Sequence, residues 1–594
     1  MASSLRPLIL FLLLFVSLSL ASPEDLLIQT KNGKVQGTLL PVLGGHVRTF
    51  LGIPYAKPPI GTLRFRPPQP ADKWDKTLEA SSFPNSCYQV PDTLFPGFQG
   101  SEMWNPNTPV SEDCLYLNVW SPPVNRLQPQ ALAPVLVWIY GGGFLSGTSS
   151  LPLYNGCFLC KSENVVVVSI NYRLGAFGFL ALPDHTSFRG NAGLMDQQLA
   201  LRWVAENIDA FGGDPSKVTI FGESAGSASV GYHLLSPGSR DLFQRAVMQS
   251  GSPNAPWARQ SHENVWNRSK GLVQMLGCPL SPHAEMDACL QRVKAKDIAS
   301  KQLIVPGPSH VSYPYAPVID GIFMPRSVEE MLSSNDLPKK DVLFGINQDE
   351  GTYFTAYHVP GFDLSGQSLV SREDFLRVMQ KAAYGAAEEA IEAVVLQYTD
   401  WTDQRNTVKN RDNLAKLHGD VMFVCPVQEF MQKYSQRGAK TFLYWFDHRS
   451  SVNPWPEWMG VMHGYEIEFV FGMPLNATLG YTNTEVNMTR KVMKHWANFA
   501  RTGNPGIDGA AWPHFTSEKQ EYVTLNSRYP EIRTQIRPQE CHLWNTVVPK
   551  IQRISGKSVS VSVLFLKGVL CKIDLLEVFT MLLIKSAVKI FVGY

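Results

Sequence analysis

The sequence has no apolar run long enough to cross a bilayer, no block of one charge, no internal repeat and no Pro-, Ser- or Gly-rich linker. A spanning helix needs about 20 mostly apolar residues. The run from Pro7 to Leu20 is shorter, and the stretch after Ser558 is broken by Lys567, Lys572, Asp574, Glu577, Lys585 and Lys589. Lys and Arg number 53 against 51 Asp and Glu, and they are scattered, which argues against a nucleic-acid partner. Without linkers or repeats, the 594 residues read as one large fold rather than a string of modules. Cysteines number nine, so at least one is unpaired within the chain.

What is present begins with a compartment signal. Arg6, the apolar run and the small residues Ala21 and Ser22 predict a secretory signal peptide over residues 1–22. The mature chain then meets an oxidising lumen and reads as secreted or cell-surface. Three glycosylation sequons, at Asn267, Asn476 and Asn487, agree with that. Cys157-x-x-Cys160 has no second ligand pair and reads as a surface pair or two free thiols. No metal or organic cofactor is implied. The lysines of the tail argue against a glycolipid anchor, and membrane attachment through it stays open.

The most informative stretch is Val218 to Gly226, a strand running into Gly222-Glu223-Ser224-Ala225-Gly226 and then a helix of small residues. Such a junction forces a tight turn that thrusts Ser224 outward as a nucleophile. A hydrolytic serine also needs a base, an orienting acid and donors for an oxyanion. The apolar strand from Pro134 to Tyr140 empties into Gly141-Gly142-Gly143, a backbone free to aim N–H groups, and Ala225 supplies another. The strand from Asp341 to Ile346 ends in Asn347-Gln-Asp-Glu-Gly351, where position alone allows Asp349 or Glu350 as the acid. Seven histidines follow, and His463 stands out beside Gly464, ahead of an apolar run.

The blocks FLGIPYAKPPIGTLRF, SEDCLYLNVW, WIYGGGF, NYRLGAFGFL, FGESAG, NQDEG and HGYEIEFVFG resemble the type-B carboxylesterase/cholinesterase family from about Pro23 to Pro549. The resemblance implies an α/β-hydrolase fold, a single domain over residues 23–549 with a large, mostly parallel central sheet flanked by helices, and a variable tail over 550–594. It implies a triad of Ser224, Glu350 and His463, with Gly142, Gly143 and Ala225 as oxyanion donors. Disulfides Cys87–Cys114, Cys278–Cys289 and Cys425–Cys541 and buried ion pairs Arg64–Glu112 and Arg173–Asp196 are implied as well. Cys571 is then the odd peripheral cysteine, a candidate for a homodimer disulfide.

The segment FPGFQGSEMWNPN resembles the choline-binding loop of cholinesterases, which implies Trp104 as the indole that receives a quaternary ammonium. Asp92, Glu223, Tyr154, Tyr353, Phe354 and Tyr357 fall at the family's cation-site and gorge positions, and Trp257, Val311 and Tyr313 at its acyl pocket. Glu223 discriminates poorly, since esterases of neutral substrates also carry GESAG. Val90, Leu145 and Gln302 stand where acetylcholinesterases have an outer aromatic site, and Val311 shrinks one acyl wall. The reading is an esterase of choline esters, butyrylcholinesterase-like or broad in acyl preference. The alternatives are a broad carboxylesterase, which would not need Trp104, and a neuroligin-like adhesion module, which would lack the nucleophile.

Overall fold

Runs of β-branched and aromatic residues build the centre of the molecule as a twisted sheet of 11 strands. The computed structural model describes residues 23–556 apart from 124–130, 183–187, 305–312, 360–361, 383–385, 508, 510–511 and 529. The expected signal segment, Val311 and Cys571 lie outside the described residues. In chain order the strands are β1 (Thr38–Val42), β2 (Gly45–Pro54), β3 (Tyr116–Ser121), β4 (Ala133–Ile139), β5 (Val166–Ile170) and β6 (Gly213–Glu223). They continue as β7 (Arg245–Gln249), β8 (Asp341–Asn347), β9 (Thr441–Phe446), β10 (Glu521–Leu525) and β11 (Ile532–Thr534). Their order across the sheet is β11-β10-β9-β8-β7-β6-β4-β5-β3-β2-β1.

From β5 to β10 every neighbouring pair is parallel, and the antiparallel pairs lie at the two flanks. Every residue of β4 and β5 is buried, which explains why their sequences run apolar without alternation: helices cover both faces. In a sheet of this kind chemistry collects at the carboxyl ends of the strands. Here β4 and β6 are neighbours, so the glycine loop after β4 lies beside the turn after β6.

Five helices matter for the site: α1 (Cys157–Glu163), α2 (Ala225–Leu235), α3 (Gly351–His358), α4 (Thr407–Gly419) and α5 (Asn483–Thr502). The last is set by its ends, a Thr482–Glu485 capping box and Gly503 at φ 78°. Helix α2 follows β6 directly and is buried along its whole length. A Cβ at Gly226 would fall 1.9 Å from the Ile139 carbonyl oxygen, so only glycine lets α2 approach β4 this closely.

The three expected disulfides are formed. Arg64 and Arg173 each grip their expected acid with two guanidinium nitrogens. Of the two readings of Cys157 and Cys160, two free thiols holds: both are unpaired and buried, because α1 packs them inward. One expectation fails. Gln302 does not stand at an open rim: it is buried and its Oε1 accepts the Ala176 N–H at 2.7 Å. Among the described residues no helix is long and apolar enough to cross a membrane.

Candidate active site

Ser224 occupies the one-residue junction between β6 and α2 at φ 57° and ψ −120°, a conformation that costs on the order of 1–3 kcal/mol in a residue with a Cβ. The close packing at Gly222 and Gly226 holds it there. The glycine loop runs past the serine: a Cβ at Gly141 would fall 2.9 Å from Ser224 Cβ. Gly142 and Gly143 then turn at φ 102° and 60°. A Cβ at Gly143 would strike the Tyr313 ring at 2.5 Å. Ala225 opens α2, so its N–H is one of the unpaired donors of a helix start.

Strand β8 delivers the two neighbouring acids to different partners. His463 Nδ1–H donates to Glu350 Oε2 at 2.5 Å. Asp349 turns away to latch the loop that carries the histidine: its carboxylate accepts the Val461 N–H at 2.8 Å, and its own N–H donates to the Val461 carbonyl at 2.9 Å. The other imidazole nitrogen, Nε2, lies 3.0 Å from Glu223 Oε1, the residue next to Ser224, without the alignment of a hydrogen bond. Contacts of this kind are commonly loose before a substrate arrives.

Burial disfavours the His463 imidazolium, but the carboxylates of Glu223 and Glu350 outweigh it and raise its pKa above the ordinary value. Burial pushes Glu223 upward against the pull of His463. A third acid, Glu466, is pushed up to about 8, by burial first and then by Glu223 and Glu350. It is held by amides of Gln249 at 3.0 Å and Asn347 at 2.6 Å. Sequence reasoning missed Glu466, although it sits in the HGYEIEFVFG block. It also missed Phe423, whose ring lies 4.2 Å from His463. Phe423 belongs to one wide helical turn, Asp420–Val424, that follows α4, and such turns have no sequence signature but recur at functional sites.

The expected cation-site residues are drawn together from distant segments. A Cβ at Gly464 would fall 3.1 Å from the six-membered edge of Trp104 and 3.6 Å from Glu223 Oε1, so indole, carboxylate and histidine loop converge. Trp104 is half-buried, on the loop closed by Cys87–Cys114. Tyr353 OH donates to Tyr357 OH at 3.1 Å, and Tyr357 OH donates to Asp92 Oδ2 at 2.5 Å, tying α3 to that loop. Phe354 meets His463 edge-on at 5.3 Å. Tyr154 is buried against Trp138 and Phe471. On the other side Trp257, fixed by its Nε1–H to the Met422 carbonyl, stands 6.2 Å from Tyr313 and 5.7 Å from Phe423. Val90 is exposed, and Leu145 is partly so. Asn267 and Asn487 are exposed on helices, and Asn476 is partly exposed.

The arrangement offers a strained hydroxyl, an imidazole between two carboxylates, backbone donors beside the serine and a cluster of aromatic and acidic side chains. A family model described as the carboxylesterase family matches residues 24–544. An acetylcholinesterase of Bungarus fasciatus is 50% identical over 531 residues, 89% of this chain and 87% of the relative. An acetylcholinesterase of Danio rerio is 46% identical over 590 residues, 93% of each chain. A cholinesterase of Mus musculus is 48% identical over 537 residues, 90% of this chain and 88% of the relative.

Proposed function

The chain belongs to the carboxylesterase family of ester hydrolases, and from that premise we propose that it is a secreted serine esterase that cleaves choline esters through an acyl-enzyme. The observation that carries the choline specificity is the convergence of Trp104, Glu223 and the His463 loop at Gly464. An indole face holds a quaternary ammonium with about 0.5–2 kcal/mol, and Glu223 and Asp92 add negative charge. Secretion is supported by the leader over residues 1–22 and by the exposed sequons at Asn267 and Asn487.

In this reading Ser224 Oγ attacks the ester carbonyl while His463 Nε2 takes its proton. Glu350 holds the Nδ1–H and balances the imidazolium, and the N–H groups of Gly142, Gly143 and Ala225 receive the oxyanion. The imidazolium then protonates the departing choline oxygen. Water repeats the attack on the acyl-serine, with His463 again as base. Trp257 and Tyr313 wall the acyl group; the sequence has Val311 where the family resemblance expects an aromatic, which is the basis for expecting butyryl to be accepted, each added methylene gaining about 0.8 kcal/mol on burial.

The test compares acetylcholine, butyrylcholine and a neutral isostere of acetylcholine on the parent and on Trp104→Ala. The choline esters should lose roughly 5- to 30-fold in kcat/KM, the equivalent of about 1–2 kcal/mol, and the isostere far less. Butyrylcholine should be cleaved within about tenfold of acetylcholine, the methylene gain offsetting some crowding. Equal losses on charged and neutral esters would mean a general carboxylesterase, with Trp104 only a structural member of its loop.

A further inference from the structure

A cavity of about 420 Å³ opens at the end of β8. Asp349, Glu350 and Gly351 contribute to its lining, but Ser224, His463, Trp104 and the tyrosines of the cation site do not. The rest of its wall comes from α4, the wide turn Asp420–Val424, Trp445, Trp458 and Arg537. Its size falls within the roughly 300–1,000 Å³ of small-molecule sites.

Two of the three cations lining this cavity are paired within it. Arg411, its guanidinium 4.2 Å over the Trp458 ring, pairs with Asp412 at 2.7 Å. Arg537 pairs with Asp420 at 2.6 Å. That leaves Lys416, exposed on α4, and Asp349, whose carboxylate accepts neutral N–H groups; the two feel each other's charge but form no direct ion pair among the described residues. One ammonium and one carboxylate therefore face the cavity without a directly bound partner of opposite charge, beside the half-buried Trp445 indole. In addition, the Trp458 Nε1–H is buried without an acceptor.

We infer that this cavity binds a small aromatic zwitterion of the class of a free aromatic amino acid, its carboxylate on Lys416, its ammonium on Asp349 and its ring against Trp445. Charge-assisted contacts at both ends discriminate against ligands carrying only one of the two charges. The site is placed to act on turnover because its wall holds the histidine from two directions. Glu350 accepts the His463 Nδ1–H, and the turn Asp420–Val424 carries Phe423, whose ring lies against the imidazole. The contact between them is tight: a Cβ at Gly351 would fall 1.9 Å from the Ala415 carbonyl oxygen, so α3 and α4 cannot shift independently. This second part rests on the proposed triad, whereas the binding site itself does not.

Calorimetry separates the two parts. L-tryptophan is titrated into the full protein with the Trp104 site saturated by tetramethylammonium, alongside indole-3-propionate, which lacks the ammonium, and tryptamine, which lacks the carboxylate. L-tryptophan should bind, with both analogues weaker by about tenfold or more. Lys416→Glu, a change at an exposed position, should abolish that binding while leaving thermal unfolding unchanged. Absence of L-tryptophan binding, equal binding of either analogue, or indifference to Lys416→Glu would overturn the site. Bound L-tryptophan should alter kcat for a neutral ester without raising KM, and Lys416→Glu should remove the response. Binding with no change in kcat, or a rise in KM alone, would overturn the coupling.

Discussion

Arg173–Asp196 and Glu223–His463–Glu350 are both buried charge clusters, yet they are balanced differently. In the first, one acid meets one arginine: Asp196 accepts the Arg173 N–H at 3.0 Å, Nε at 2.7 Å and Nη2 at 2.6 Å. Arginine stays charged at every ordinary pH, and although burial pushes the Asp196 carboxyl upward, Arg173 pulls it back and answers its single charge with one of opposite sign. In the second, two carboxylates flank a cation that can lose its proton, at 2.5 and 3.0 Å. The negative excess is what raises the imidazole pKa and makes the proton count change with pH. A balanced pair can hold a fold, but only an unbalanced titratable cluster can move protons through a reaction.

If that contrast is right, substitutions in the two clusters separate activity from stability. The largest effect belongs to Ser224→Ala, which should lower kcat by about 10⁶-fold, as removal of other serine nucleophiles does, with no loss of thermal stability. Substantial residual turnover, or an organophosphate adduct mapped to another serine, would place the reaction elsewhere. Next comes Glu350→Gln, which should cost about 10⁴-fold in kcat by leaving the imidazole unoriented. Asp349→Asn should cost far less, since that carboxylate latches Val461 rather than His463. A reversed ranking of these two variants would swap their roles.

Arg173→Ala should show the opposite signature. It strands Asp196 as a buried, unpaired charge and should destabilise the protein by about 3–5 kcal/mol, measured by denaturant unfolding. The molecules that remain folded should keep their kcat, and loss of kcat without loss of stability would erase the contrast. The smallest effect is a displaced pH profile. Glu223→Gln removes a carboxylate that raises the His463 pKa, so that pKa falls and the imidazole stays neutral to lower pH. The acid limb of kcat/KM for a neutral ester should therefore move to lower pH, by about one pH unit. A limb that stays in place, or moves upward, would mean that Glu223 does not set the proton affinity of the histidine.

Much of this site is legible in the amino-acid order, and the rest is hidden for definite reasons. The turn at Ser224 is visible because β6, two spacing glycines and α2 are contiguous and each has a local signature. Position at the end of β8 narrows the acid to Asp349 or Glu350 but cannot separate them, because adjacent residues there point to different partners. Gln302 is misplaced by alignment because an amide can serve a rim or a buried backbone N–H equally well, and here it serves Ala176. Phe423 and Glu466 are invisible because nothing local marks an aromatic or an acid that will face a histidine from another segment.

What the sequence determines by itself is whatever depends on neighbours in the chain: the parallel core strands from their apolar runs and the tight turn at Ser224 from its glycines. What only the tertiary structure decided is which of those pieces meet. His463 reaches Glu350 across 113 residues, and Trp104 and Glu223 meet at Gly464 from separate loops. Those contacts form because the sheet order brings strand ends to one edge and the disulfide and Asp349 latch aim the loops. Such packing is fixed by the whole core and cannot be read from any one stretch of sequence.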